Sequence, residues 1–570
     1  MSKSIFLLNK NMLSLVSKLS SHEINSIQFP SLPQIEYDKT QFPGSAGKEH
    51  YKFLAWLSYQ FSETHFIEIG THTGLSAFCL ASNPKNTVYT FDVSNKVEHN
   101  MRIYPNIKFE QANLLDETDR LKWEEKILTA PLIFFDISPH NGTDEYTFYE
   151  YLKEKKYSGL VVFDDIWYYK EMRDNFWYKI PSSCKRDITE FGHWAGTGLV
   201  SFDTEDIIEE VSTDKNREFW AGGNQKLVSK ESEKSWTVVT AYFDLTKLPD
   251  ASDSIKSRPL SYYLDRSKTT LSLDLNMVIY CDKQSYDQIY AVRPEFLRSK
   301  TRYVIMEFED FPLNSYRNKI VLNRILKPYQ FDDRNTASYY LFCMSRYCMM
   351  KETIKENTFS STHFAWVNLC IGEIHWKNCR ELEPAFKVFR DKFSTVYIDY
   401  IPQSLIDNLD EYFKWGRCSL ASGFFTGNAY YMSKVCTLIE NQFIEYVEKG
   451  YGHSDEQLYS PVYFKNRHLF EVYYGDYHSV VTNYRRIEDD VFSVLGHLCT
   501  NAFKNKDYWV LYDACVKIWD FCGTFDDGVD CLGTYCNTYL KFLLVSSTRM
   551  NDEKMMSRAL AELKCKELGC

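Results

Sequence analysis

FIEIGTHTGLSAFCLA, residues 66–81, reads as a short apolar strand, a glycine-containing turn and the start of a helix. Gly70 and Gly74 let the main chain pass close to a ligand, and the helix amino end presents unpaired N–H groups. The spacing is E-x-G-x-x-x-G, not the G-x-G-x-x-G of dinucleotide sites. Glu68 stands at the end of the strand where a dinucleotide site has its first glycine. An acid there, with Thr71 in the turn, favours a cationic cofactor without phosphates, S-adenosylmethionine, over NAD.

Working outward, each following strand ends on a polar residue. VYTFDV places Asp92 at a strand end, where a carboxylate can accept both hydroxyls of a ribose. NIKFEQANLLD places Asn113 after the next strand, APLIFFDISPH ends its apolar run at Asp136, and SGLVVFDDIW ends at Asp164 and Asp165. DITEFGHWAGTGLV then brings His193 beside a glycine-rich turn, a candidate general base. A glycine turn followed by acids on successive strands resembles a class I S-adenosylmethionine-dependent O-methyltransferase over roughly residues 45–205. The likeness is to the catechol type and to sugar-modifying relatives that share the FDDI strand. It implies that carboxylates matching Asp136, Asp164 and Asp165 hold a divalent metal, Mg²⁺ or Mn²⁺. This chain departs from the pattern at Ile137 and Ser138, where an acidic neighbour is usual.

A polar connector, Lys226 to Ser235, precedes a second alternating region. TVVTAYFDL, NMVIYCD and RYVIMEFEDF are three β-rich runs with polar ends; they place Thr240, Ala241 and Tyr242 at a nucleotide-base pocket and Asp282 at a strand end. A helix carries Ser345 and Arg346, HFAWVNLC follows as a strand, SGFFTGNAYYM precedes a helix, GHSDEQLYSPVYF holds Asp455 and Glu456, and VYYGDYHSVVTNY comes last. In this order they resemble the HtrL/YibB (WlaTC-like) glycosyltransferases, of the GT-A type, over Thr237 to Tyr484. The resemblance implies a nucleotide-sugar donor whose diphosphate leaving group needs a cation. At the place of a D-x-D motif stand Asn368, Leu369 and Cys370, poor ligands for Mg²⁺. The cation role then falls to Asp282 with a metal, or to Arg346. Asp455 or Glu456 is the expected proton acceptor from an acceptor hydroxyl, although Ser454 and Asp455 would also cap a helix. Gly423 and Gly427 allow either close approach of an acceptor or a tight turn.

The remainder is helical. DYWVLYDACVKIWDF and CLGTYCNTYLKFLL carry apolar faces at three-to-four spacing. Cys515, Cys522, Cys531 and Cys536, with His497 upstream, match no zinc spacing and read as buried thiols. Trp366, Trp376 and Trp415 read as packing residues before sugar platforms.

The full 570 residues exceed one ordinary core. We expect an α/β architecture: an amino-terminal helical segment over 1–44, a Rossmann-like methyltransferase domain over 45–232, a GT-A-like domain over 237–490 and an all-α tail over 491–570. Net charge −11 argues against a nucleic-acid partner, and no apolar run is long enough to span a membrane. Lys10 interrupts any secretory core in the amphipathic segment Met1 to His22, and sixteen cysteines without a CxxC pair fit reduced thiols in a cytoplasmic protein. The expected function is a two-activity enzyme that adds a sugar to a glycan or glycoprotein acceptor and methylates a sugar hydroxyl. The alternative is a catalytically eroded binding scaffold that retains the two folds.

Overall fold

The computed structural model describes residues 21–27, 29, 50–94, 96–97, 104–202, 234–329, 332–488, 490–523 and 528–568. Most of the expected amino-terminal helix and of the polar connector lie outside them. The chain forms two compact units, Met1–Val228 and Ser229–Cys570.

The first unit is built on seven strands: β1 (His65–Ile69), β2 (Thr87–Asp92), β3 (Ile107–Gln111), β4 (Leu132–Phe135), β5 (Leu160–Phe163), β6 (Lys185–Asp187) and β7 (Gly198–Ser201). Their order is β3-β2-β1-β4-β5-β7-β6, with β1 to β5 parallel and β7 antiparallel to both β5 and β6. This is a Rossmann-like α/β sheet. LIFF and LVVF are continuous apolar runs because helices cover both faces of a parallel sheet, and all eight residues are buried. The direction of winding reverses between β1 and β4, which opens a crevice at their carboxyl ends.

Three hydrogen bonds lock that rim: Gly70 N–H to Phe91 O at 2.8 Å, Asp136 N–H to Ile69 O at 2.9 Å and Asp164 N–H to Phe135 O at 3.1 Å. Gly70 has φ +99°, and a Cβ there would lie 1.6 Å from the main-chain oxygen of Asp136. Only glycine fits, for both backbone and steric reasons.

The second unit has a five-stranded sheet of β8 (Trp236–Tyr242), β9 (Asn276–Cys281), β10 (Thr301–Ile305), β11 (His363–Val367) and β13 (Phe424–Asn428). Its order is β10-β9-β8-β11-β13, parallel except for β13. Two short strands, β12 (Val396–Tyr397) and β14 (Tyr473–Tyr474), pair beside it. This is a mixed, mainly parallel α/β sheet. The carboxy-terminal helices Tyr508–Cys522, Cys536–Met550 and Glu553–Leu568 pack into the same unit. One apolar core runs from Val239 to Ala559 and joins them to the sheet's helices. No described helix is long and apolar enough to cross a membrane.

Candidate functional site

In the first unit the rim of β1, β4 and β5 gathers six ionisable side chains. Asp164 and Asp165 follow β5 and are 4% and 8% exposed. Asp164 Oδ2 lies 3.4 Å from His50 Nδ1 and 3.4 Å from His193 Nδ1. Asp165 reaches His193 Nδ1 at 3.1 Å and His140 Nε2 at 3.3 Å, and the His140 ring stacks on Tyr169. Asp136 completes the cluster electrostatically. Burial pushes its carboxyl well above the ordinary range, and the charges of Asp164 and Asp165 push it further. Asp164 goes the other way: burial alone would raise it, but the imidazoles of His50 and His193 hold it well below. Burial and the two imidazoles thus shift these neighbouring carboxyls in opposite directions.

The expected residues Asp136, Asp164, Asp165 and His193 thus come together. His50 and His140 complete the cluster and were not anticipated. His50 precedes the helix Tyr51–Tyr59, 15 residues before β1 begins at His65, and His140 follows Pro139, beyond the end of β4. The histidine-rich surroundings change the candidate ligand set. Donor atoms of His50, Asp164 and His193 lie within 4.8 Å of one another, and Asp164 Oδ1 is buried without a hydrogen-bond partner. These residues fit a divalent ion with mixed nitrogen and oxygen donors, in place of the all-carboxylate set read from sequence.

At the other end of the rim, Thr71 Oγ1 and Thr90 Oγ1 are 2.5 Å apart, and Thr90 donates to Glu68. Glu68 is wholly buried beneath the glycine turn, and burial pushes its carboxyl up to about 7. Asp92 accepts the His72 N–H at 2.9 Å and the Ser94 N–H at 2.8 Å, so it ties the turn after β1 to the end of β2. Gly74, φ +96°, heads the helix Leu75–Leu80. Asn113 is exposed; its Oδ1 accepts the Leu115 N–H, a local turn contact.

A raised carboxyl makes a stability prediction. Between the ordinary value of 4.5 and about 7, folded Glu68 holds a proton that the unfolded chain releases, so stability falls as pH rises through that window. The shift corresponds to about 3 kcal/mol at 1.36 kcal/mol per pH unit. The stability of Glu68→Gln relative to wild type should therefore improve by about that amount between pH 5 and pH 8 in denaturant unfolding of the first unit. Parallel pH profiles for the two proteins would exclude a protonated Glu68.

In the second unit the centre is Arg346, 5% exposed on the helix Ala337–Glu356. Its Nη1 donates to Ser422 Oγ at 2.6 Å and Ser422 O at 2.9 Å, and its Nη2 lies 3.3 Å from Asp455 Oδ2. Glu456 Oε1 accepts the Ser422 N–H at 2.8 Å, and the Ser422 hydroxyl lies 3.0 Å from both Asp455 and Glu456. One hydroxyl proton therefore serves two carboxylates. Burial, then the charge of Asp455, pushes Glu456 up to about 7. Asn368 accepts the Trp366 indole N–H at 2.8 Å, and the Arg346 guanidinium sits 5.6 Å from the centre of the Trp366 ring.

The structure gives other expected residues local roles. Asp282 caps the helix Lys283–Val292 through Ser285 N–H and accepts the Asp244 N–H at 2.7 Å. Thr240 and Tyr242 share one face of β8 while Ala241 points to the other, where it joins a different apolar core. The three side chains therefore do not line one pocket. A Cβ on Gly423 would stand 3.2 Å from the Asn368 amide, and one on Gly427 3.2 Å from Lys392 O. Trp366 is buried at 2% exposure, whereas Trp415 is 66% exposed. Cys522 and Cys531 sulfurs lie 3.6 Å apart, and the fifteen described cysteines are all free thiols.

No protein in a search of curated sequences matches the chain. Among solved structures, a Podospora anserina methyltransferase bound to S-adenosylhomocysteine is 15% identical over 20% of this chain, TM-score 0.16; the chain spans about half of it, 52%. A putative caffeoyl-CoA O-methyltransferase from Staphylococcus aureus is 17% identical over 26% of this chain and 82% of its own, TM-score 0.22. Mouse xyloside xylosyltransferase 1 is 11% identical over 42% of this chain and 84% of its own, TM-score 0.23. Residues 234–486 match the family model described as "Bacterial protein of unknown function (HtrL_YibB)".

Proposed function

We propose that the chain is a two-activity enzyme of glycan assembly: the first unit methylates a sugar hydroxyl with S-adenosylmethionine, and the second transfers a sugar from a nucleotide donor to a glycan or glycoprotein acceptor. The observation that carries the reading is the convergence of Asp136, Asp164, Asp165 and three imidazoles at the carboxyl rim of a methyltransferase-type sheet.

The glycine turn fits the cofactor. Gly70 and Gly74 supply the positive φ that the turn requires, and Asp92 fixes the turn through His72 while its remaining lone pairs can accept ribose hydroxyls. Bound there, the cofactor supplies an electrophilic methyl group. The chain supplies the base: Asp165 and Asp164 hold His193 at Nδ1, which directs Nε2 to take the hydroxyl proton. Asp164 remains an anion throughout and stabilises the imidazolium that forms. His50, Asp164 and His193 would hold a divalent ion, which lowers the pKa of a nearby hydroxyl. A nitrogen cannot both ligate and carry a proton, so His140, the second imidazole on Asp165, takes the base role when His193 serves the ion.

In the second unit, Glu456 titrates near neutrality and is suited to accept the acceptor proton, and Arg346 offsets charge in the buried cluster.

The test is binding and label transfer. S-adenosylhomocysteine should raise the melting temperature and bind in the micromolar range, and Asp92→Ala should weaken it at least tenfold by calorimetry. No thermal shift at millimolar cofactor would remove the methyltransferase half. Absence of hydrolysis or binding across a nucleotide-sugar panel would remove the other. A second reading, a scaffold that binds without turnover, draws on Arg346 being already paired with Asp455 and Ser422. It expects cofactor retention with no labelled methyl or sugar released to any acceptor.

A further inference from the structure

The second unit lacks a D-x-D pair after β11, yet it holds another cluster of metal-ligating side chains. Asp476, His478 and Asp490 each offer a ligand atom, and those atoms lie within 4.8 Å of one another. The arrangement is fixed by short contacts. Asp476 Oδ1 accepts the Tyr477 N–H at 2.5 Å, and Asp476 N–H donates to Asp490 Oδ2 at 3.3 Å. Asp476 Oδ2 lies 3.7 Å from His478 Nε2. The Asp476 main chain thus ties the two aspartates to one another. Two carboxylates beside one imidazole form a mixed oxygen and nitrogen set suited to Mn²⁺, Co²⁺ or Zn²⁺ before Ca²⁺.

A cavity of about 280 Å³ adjoins the cluster and shares His478 and Asp490 with it; His375, Trp376, Lys377 and Ser479 line the rest. Lys377 brings a cation to this wall. Its main-chain N–H is capped by His375 Nδ1 at 3.4 Å at the start of the ten-residue helix Trp376–Ala385. The lining thus sets Lys377 and a helix start in the same cavity as Asp490. Tyr477, between Asp476 and His478, has its phenol pushed up first by the charge of Glu456, then by burial and by Asp455. The turn 476–479 therefore presents Tyr477 to the Arg346 cluster and His478 to the cavity.

We propose that Asp476, His478 and Asp490 bind a divalent transition-metal ion that anchors the diphosphate of the nucleotide donor, with Lys377 lining the same cavity. This rests on the glycosyltransferase reading of the second unit. The site takes over the role that Asn368, Leu369 and Cys370 cannot fill.

The experiment is Mn²⁺ titration of the full chain by electron paramagnetic resonance, followed by calorimetry with UDP and GDP in the presence and absence of Mn²⁺. His478→Ala and Asp490→Asn are the variants. His478 is 56% exposed, so its loss leaves the core intact. His193→Ala separates any ion held by the first unit. Wild type should bind one more Mn²⁺ than either cavity variant, and His193→Ala should keep that ion. At least one diphosphate should bind tenfold or more tighter with Mn²⁺ in wild type, and Lys377→Ala should reduce that gain. Equal Mn²⁺ occupancy in wild type and both cavity variants overturns the proposal. Loss of the ion with no change in metal-dependent diphosphate affinity overturns the diphosphate assignment and leaves a metal site. Failure of the glycosyltransferase reading shows separately, as an absence of sugar transfer or hydrolysis despite intact Mn²⁺-dependent diphosphate binding.

Discussion

Asp164→Asn should reduce methyl transfer by at least a hundredfold while changing S-adenosylhomocysteine affinity less than threefold. The substitution keeps the shape and removes the negative charge that lies 3.4 Å from both His50 Nδ1 and His193 Nδ1. Loss of general-base function costs roughly 10²–10⁴ in rate. Removal of the fixed anion also withdraws the partner that would stabilise a protonated imidazole. The adenosyl end, Gly70, Gly74 and Asp92, has no contact with the Asp164 carboxylate, so binding is spared. Labelled-methyl transfer and calorimetry on the same preparation separate the effects. Activity within tenfold of wild type would show that the histidine cluster is structural. Asp136 behaves differently because burial, and then the charges of Asp164 and Asp165, push its carboxyl upward. The amide at 164 also alters the pH profile, since Asp136 loses a principal source of its upward shift.

Arg346→Met should be the most destabilising change in the second unit and should end sugar transfer. It strands Asp455 and Glu456 around one Ser422 hydroxyl with no cation. Removing one partner of a buried pair costs about 3–5 kcal/mol. The cost depends on pH. Glu456, pushed up to about 7, is protonated below that value, so fewer uncompensated charges remain in acid. The variant should lose most stability above pH 7 and recover part of it near pH 5, as read from denaturant midpoints. Arg346→Lys should recover some stability but little transfer, since one ammonium cannot repeat the fork to Ser422 and Asp455. A loss independent of pH would mean that Glu456 stays ionised and is not the proton acceptor.

Much of the fold was legible because parallel strands buried on both faces announce themselves as apolar runs. LIFF and LVVF, and the residue that ends each, are visible without neighbours. The same holds for Arg346 and the Asp455–Glu456 pair, whose segments lie far apart in the chain but keep a fixed order. His50 and His140 were not legible. One precedes the first recognisable strand, the other lies beyond a proline, and only the crossovers of the sheet bring them to Asp164 and Asp165. Asp282 and Asn113 show the opposite error. A carboxylate or amide at a strand end serves a nearby N–H as readily as a ligand, and sequence does not distinguish the two. At Thr240 to Tyr242 the alternation of a strand defeats a three-residue pocket, a fact that spacing alone should have given.

Any Cβ at position 70 would collide with the main-chain oxygen of Asp136, so the turn after β1 and the end of β4 share a hinge pin. Evolution or engineering that resizes the loop after β1 for a bulkier cofactor analogue must also shift the acid that follows β4. Selectivity for the methyl donor and the acidity of the reaction chamber will therefore drift together, and libraries diversified at position 70 should yield coupled changes in both or no folded protein.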